Sequence, residues 1–139
     1  MKCSLFIFSV VLMSFTFKSD NNLLYQKALL NHFSKTNTDT IYILKGFDIE
    51  IPSKVGKYTI IDISDNTKSF IVNKPSLYAV KLMPIEMNNG IIEITLIDYL
   101  IKIDGSEVLL YNNGSAVYSY KYEIRKKKYM FLRKESHAI

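Results

Sequence analysis

His32 is the residue of this chain best suited to proton transfer. It lies in a segment whose apolar residues have helical spacing, on the same arc as Tyr25 and Phe33. An imidazole titrates near neutral pH, so a carboxylate from Asp98 or Glu93 beside it would make it a proton donor or acceptor. The competing interpretation is a partly buried histidine bonded to a backbone carbonyl or to water. The sequence favours this second interpretation, because the spacing fixes no other member of a catalytic set.

A cavity between the helix and a sheet would be needed for His32 to act on a ligand. The predicted lining of this cavity is Tyr25, His32, Asp98 and Tyr99. A pocket with a few convergent polar groups is the usual form of a small-molecule site. The cavity is therefore kept as the alternative functional site of the chain.

Common motifs of catalysis and cofactor binding are absent from the sequence. There is no HExxH, no P-loop and no GxGxxG, and His32 and His137 are the only histidines, with no cysteine after Cys3. His137 lies beside Glu135 and Ser136, but the members of a triad converge from distant segments and are not neighbours in a tail. We therefore predict no catalytic residue, no metal site, no cofactor and no enzymatic activity.

Positive charge is concentrated towards the end of the chain. The whole sequence has a formal net charge of +5, and residues 120–139 alone carry seven basic and two acidic side chains. Such a surface suits an anionic partner, here an unknown protein or a component of the cell envelope. A solvated hairpin tip that discourages aggregation is the competing interpretation, and the sequence favours it. The cluster consists of Arg125, Lys126, Lys127, Lys128, Arg133 and Lys134.

The first nineteen residues have the layout of a secretory signal peptide. A positive start at Met1-Lys2 precedes an apolar run from Ser4 to Phe17, and polar residues follow from Asp20. The run is shorter than the roughly 20 residues that a membrane-spanning helix needs. We therefore predict a signal peptide at 1–19, a single globular domain at 20–139, no membrane span after cleavage, and a secreted or periplasmic location. Nucleic acid is not expected as a partner of an exported protein.

One helix and a series of strands are predicted after the signal peptide. Helical spacing from Leu23 to Phe33 predicts a helix over Asp20 to Ser34. Beyond Asp39, short β-rich runs alternate with turn residues, which is typical of successive strands. The predicted strands are 40–44, 58–63, 69–72, 77–87, 91–103, 107–111, 115–125 and 128–134, with turns at 88–90, 104–105, 112–114 and 126–127.

Two of these strands carry informative patterns. Residues 116–124 alternate between apolar or aromatic and more polar side chains, as half-buried antiparallel strands do, and a turn at 126–127 would pair Tyr122 with Phe131. Within 91–103, the apolar set changes from even-numbered to odd-numbered positions. This change predicts a β-bulge near Leu96 to Asp98, which would bend the sheet.

Together these elements predict an α+β fold in which one N-terminal helix packs on a bent antiparallel β-meander. A small β-barrel or sandwich is the alternative. The layout resembles the cystatin-like and NTF2-like folds, and it is closer to the cystatin-like fold because a single helix precedes the sheet. No QxVxG loop is present, so protease inhibition is not implied. The NTF2-like resemblance implies the alternative function, a small-molecule binder or enzyme with a cavity under the helix.

The last part of the chain resembles small exported proteins of unknown function from Bacteroidetes-type bacteria. This resemblance implies export and no particular activity. We therefore predict an exported, non-enzymatic binding or interaction domain, with its oligomeric state open. The residues that carry the resemblance are Asn112-Asn113-Gly114, Tyr120-Lys121-Tyr122, Tyr129-Met130-Phe131 and Ile139.

Overall fold

A computed structural model of the chain describes residues 20–139. The predicted signal peptide at 1–19 lies outside the described residues and stays a prediction. The described residues contain helix α1 (20–32), followed by eight strands and a second, short helix. These are β1 (Thr40–Lys45), β2 (Lys54–Val55), β3 (Tyr58–Asp62), α2 (Thr67–Ile71), β4 (Leu77–Leu82), β5 (Glu86–Asn88), β6 (Ile91–Asp104), β7 (Glu107–Glu123) and β8 (Lys128–His137).

All eight strands form one mixed sheet in the order β2-β3-β1-β4-β6-β7-β8, with β5 paired to β6. Strand β1 is parallel to both of its neighbours, β3 and β4, whereas the other pairs are antiparallel. The prediction of an α+β fold is therefore confirmed, but the sheet is mixed and not purely antiparallel. It is also open, with β2 and β8 as its edges, unlike the barrel and sandwich alternatives.

Helix α2 occupies a segment for which the sequence predicts a strand, and that prediction for residues 69–72 is wrong. Strands β3 and β4 run in the same direction on either side of β1, so the chain must cross the sheet between them. Helix α2 lies in this crossover and buries Ile71 with Ile63 against the sheet. The need for a crossover is a long-range constraint, and it overrides the β propensity of the local residues.

The sheet buries residues on both faces, and this explains the pattern of β6. Ile92, Ile94 and Leu96 pack in the larger cluster under α1, whereas Ile101 packs in the smaller cluster with α2. Even-numbered positions are buried first and odd-numbered positions later, because different helices cover the two faces. The predicted change of pattern in β6 thus needs no extra residue in that strand.

A β-bulge is nevertheless present at this level of the sheet, in the partner strand β7. Asp98 pairs with Gly114 and Tyr99 pairs with Asn112, which leaves Asn113 as the additional residue. The sequence predicts a turn at 112–114, and the structure corrects this to a bulge inside a continuous strand. The Asn112 side-chain carbonyl accepts a hydrogen bond from the backbone N–H of Gly114 at 2.9 Å, so the same local Asn-Gly chemistry serves the bulge.

Two other hairpins test the predicted turns. At Asn89-Gly90 both residues have positive φ, 50° and 74°, and the predicted hairpin between β5 and β6 is confirmed. In the last hairpin the turn is longer than predicted and covers residues 124–127. Tyr122 consequently pairs with Tyr129, and Phe131 pairs with Tyr120. The predicted pairing of Tyr122 with Phe131 is therefore wrong, because the observed register differs from the predicted one by two residues.

Replacing Gly114 by alanine is expected to destabilise the fold. The φ of Gly114 is +128°, and an added Cβ would lie 3.0 Å from the backbone oxygen of His137 in β8. Residues in such sparsely populated backbone regions cost about 1–3 kcal/mol. Gly46→Ala is the matched control, because an added Cβ there meets nothing within 4 Å. Urea denaturation should show a lower free energy of unfolding for Gly114→Ala and little change for Gly46→Ala; equal values would contradict the prediction.

Candidate functional site

The parallel strands β1 and β4 separate at their N-terminal halves. They pair only from Ile43 and Val80 to Lys45 and Leu82. Before that point, residues 40–42 of β1 pair with β3 on their other side, and Leu77 to Ala79 pair with β6. The two strands therefore leave a gap in the sheet, and their facing backbone edges are not joined to one another there.

A cleft of about 530 Å³ lies at this gap. Its volume is within the range of about 300–1,000 Å³ that is usual for small-molecule sites. The lining combines apolar and aromatic side chains with several hydroxyl groups, and Asp98 supplies its only carboxylate. The lining residues are Phe33, Thr36, Thr38, Thr40, Ile41, Tyr42, Ser76, Leu77, Tyr78, Ala79, Asp98 and Asn113.

Asp98 is held at the cleft by a chain of hydrogen bonds. Its Oδ1 atom lies 2.7 Å from Nε2 of His32, and Nδ1 of His32 lies 2.8 Å from the hydroxyl of Tyr118. The Tyr118 side chain is fully buried, the His32 side chain is 11% exposed, and the Asp98 side chain is 37% exposed. The chain thus runs from the core to the solvent-accessible cleft.

This chain keeps its hydrogen bonds in either protonation state of His32. With Nε2–H donating to Asp98, a neutral ring accepts the Tyr118 hydroxyl at Nδ1, and a protonated ring donates to the same oxygen. Burial raises the pKa of Tyr118, and the negative charge of Asp98 adds to that rise. Tyr118 is therefore a neutral hydroxyl at ordinary pH, and it remains both a donor and an acceptor.

The geometry assigns a positioning role to His32. Both ring nitrogens are bonded within the domain, and His32 is not among the residues that line the cleft, so it reaches a bound molecule only through Asp98. The effect of the ring is to fix the Asp98 carboxylate, whose Oδ2 atom has no hydrogen-bond partner within residues 20–139. A fixed carboxylate with one free oxygen can accept a hydrogen bond from a ligand or hold a cationic group.

The other residues of the predicted cavity lie elsewhere. Tyr25 donates its hydroxyl to the carbonyl oxygen of Met83 at 2.6 Å and packs on Phe47. Tyr99 lies on the opposite face of the sheet, beside the α2 cluster. The structure thus brings His32 and Asp98 together but separates them from Tyr25 and Tyr99. Only Asp98 of the four predicted residues lines the cleft.

The predicted basic surface is divided into two parts. Arg125 to Lys128 lie exposed at the tip of the β7–β8 hairpin. Arg133 instead approaches Glu135 at 3.1 Å and Glu93 at 3.8 Å, and the Lys134 ammonium lies over the ring of Tyr118, 5.5 Å from its centroid. Arg133 and Lys134 therefore have partners within the domain, and the other four members of the cluster are those at the exposed tip.

Tyr118 is the member of the site that sequence reasoning misses. Its alternation within 116–124 predicts burial, which the structure confirms, but nothing in that pattern relates it to a histidine 86 positions away. The cleft is missed for the same reason, because the separation of β1 from β4 depends on strand pairing. The hydroxyl-rich stretch at Thr36, Thr38 and Thr40 is the one feature of the sequence that indicates a polar cleft here.

Comparison with known proteins gives no further guide: no family model, curated protein or solved structure matches the chain. Nothing in these comparisons indicates an enzymatic activity. From residue 20 onwards, no three His, Cys, Asp or Glu side chains gather where they could hold a metal ion. In the same part of the chain, no helix is long and apolar enough to cross a membrane.

Replacing His32 by phenylalanine is expected to leave the buried Tyr118 hydroxyl without its partner. An unsatisfied buried hydroxyl costs about 1–3 kcal/mol, so His32→Phe should lower the free energy of unfolding by about 2 kcal/mol. Adding Tyr118→Phe removes the orphaned group and should restore part of that loss. Urea denaturation of both single variants and the double variant measures this coupling. Strictly additive losses would contradict the hydrogen-bond chain.

Tyr25 is expected to make stability fall at high pH. Burial raises its pKa from 10.0 to about 12, while a backbone hydrogen bond acts in the opposite direction. Because the folded state disfavours the phenolate, the stabilising contribution is complete below about pH 10 and is lost as pH rises towards 12. Tyr25→Phe should therefore show a shallower fall in unfolding free energy over this interval. An unchanged slope in denaturant titrations would contradict the assignment.

Proposed function

We propose that the protein is an exported, non-enzymatic binding domain whose ligand occupies the cleft between β1 and β4. The observation that carries this proposal is the Asp98 carboxylate, fixed by His32 at the side of a cleft of about 530 Å³. A rigid polar anchor beside apolar walls is the common arrangement of ligand sites. The ligand is a small molecule, or an exposed group of an envelope component or partner protein.

The lining defines the chemistry of the ligand. Asp98 accepts hydrogen bonds and is negatively charged when ionised, so the complementary group is an amine or another strong donor. Phe33, Ile41 and Tyr78 offer apolar and aromatic surface next to it. Tyr78 is 65% exposed, which leaves its ring accessible to a ligand. A compact aromatic or aliphatic amine would satisfy both features.

A binding role is preferred to the enzymatic alternative because of how His32 is bonded. A general base must reach the proton that it removes, but His32 does not line the cleft, and its two nitrogens are bonded to Tyr118 and Asp98. The cavity predicted for that alternative would also be lined by Tyr25 and Tyr99, which lie at other places in the fold. The site therefore supports recognition better than proton transfer.

We also propose that the domain is exported and that its fold is of the cystatin-like type. Export is supported by the charge and hydropathy pattern of residues 1–19, and a secreted or periplasmic location follows from it. A cystatin-like arrangement is supported by a single long helix, α1, lying on one face of a larger sheet. The consecutive antiparallel strands β6, β7 and β8 supply the part of the sheet closest to a meander.

Benzylamine is a suitable probe of the cleft because it joins a cationic amine to a small apolar ring. In NMR titrations of ¹⁵N-labelled protein it should shift the amide signals of residues 40–42 and 76–79. For a ligand of this size we expect a dissociation constant of about 1 mM. Benzyl alcohol, which has a similar shape without the charge, should bind more weakly.

Asp98→Asn should abolish the preference for the amine over the alcohol, since it removes the charge and keeps the size of the side chain. Asp104→Asn is the matched control, because Asp104 is an exposed carboxylate at the far end of the same strand, β6. Signals that shift equally in both variants, or only outside the cleft, would overturn the proposal.

A further inference from the structure

The tip of the β7–β8 hairpin combines positive charge with an exposed aliphatic side chain. Ile124 begins the turn and is 81% exposed, and it is followed directly by Arg125, Lys126, Lys127 and Lys128. The nearest acidic partner is Glu123, whose carboxylate lies 3.9 Å from the Lys126 ammonium with both side chains exposed. Such an exposed pair contributes little, so the tip stays strongly positive.

The apolar surface continues from the tip onto the hairpin. Ile124, Met130 and Leu132 line a groove of about 370 Å³, together with Tyr122, the cations Lys121 and Arg125, and one carboxylate, Glu123. Leu132 is the extra residue of a second bulge, opposite Ser119 and Tyr120, and it is 47% exposed. Cationic and aliphatic groups therefore occupy one continuous surface.

The turn also places a lysine at a position with a positive φ, a backbone conformation that favours glycine. Lys127 has a φ of 47°, and its N–H bonds to the carbonyl of Ile124 at 3.3 Å to close the turn. Non-glycine residues at positive φ are uncommon and are often associated with function. The tip therefore carries a cation even at the turn position where glycine would fit the backbone best.

We propose that this tip docks on an anionic lipid bilayer surface, with the cations at the headgroups and Ile124 in the outer part of the acyl region. Charge alone would suit any polyanion, but the hydrated phosphate backbone of a nucleic acid and the hydroxyl-covered surface of an acidic polysaccharide offer little apolar area against which Ile124 could be buried. A bilayer rewards both features, the charge through its surface potential and the side chain through insertion at the interface. The hairpin tip is a different surface from the cleft between β1 and β4, and docking of the tip does not require a ligand in the cleft.

Vesicle sedimentation of the full chain tests the docking. The probes are vesicles of phosphatidylcholine alone and of phosphatidylcholine with about one third phosphatidylglycerol, a content that gives the strongly negative surface potential required. Binding should be much stronger to the anionic vesicles and should weaken as salt is raised. Because all variants keep residues 1–19, any contribution of that segment is common to them.

Replacing the four cations of the tip, Arg125, Lys126, Lys127 and Lys128, by serine should reduce anionic vesicle binding by about 600-fold, at about fivefold for each cation. The charge-matched control replaces Lys27, Lys35, Lys54 and Lys57, of which Lys54 is in β2 at the opposite edge of the sheet. The control should lose much less. An equal loss in both would show a nonspecific charge effect and overturn the proposal.

Two single variants separate docking from folding. Ile124→Ser should weaken anionic vesicle binding by roughly tenfold through lost insertion, with no change in net charge. Lys127→Gly should weaken binding without lowering the thermal midpoint, because glycine accepts a positive φ readily. Undiminished binding by Ile124→Ser, or tighter binding to heparin or single-stranded DNA than to anionic vesicles, would overturn the assignment of a bilayer as partner.

Discussion

The incomplete pairing of β1 with β4 is the constraint from which the candidate site follows. Strand β1 is hydrogen-bonded to β3 over its first four residues and to β4 only over its last three. A strand that follows one neighbour closely must leave the other if the two neighbours twist apart. The resulting cleft receives the end of α1 on one side and Asp98 of β6 on the other, so sheet geometry creates the space and its polar anchor together.

Burial on both faces of the sheet determines most of the remaining architecture. Helix α1 covers one face with Leu24, Ala28 and Leu29, and α2 covers part of the other through Ile71. Helix α1 packs against one segment of the long β6–β7 hairpin, and α2 packs against another. The hairpin can therefore extend past α1, and the uncovered part of its α1 face contributes to the cleft.

The hydrogen-bond chain from Tyr118 through His32 to Asp98 illustrates how far prediction from sequence reaches. Helical spacing places His32 on the buried arc, and strand alternation places Tyr118 in the core; both placements agree with the structure. The link between them joins segments 86 positions apart, and it depends on how α1 lies across β7. On chemical grounds the sequence allows either Asp98 or Glu93 as the partner of His32, and the structure pairs His32 with Asp98.

Local sequence alone specifies α1 and the Asn89-Gly90 hairpin, because helical amphipathicity and positive φ are properties of neighbouring residues. At Asn113-Gly114 only the glycine has a positive φ, and the pair forms a bulge, since there the strands β6 and β8 hold β7 on both sides. The helical state of α2, the parallel direction of β1 and the position of the cleft are likewise decided by long-range packing. Residues far apart in the chain must satisfy each other's backbone hydrogen bonds and cover each other's apolar surface, and no local pattern encodes which of them will meet.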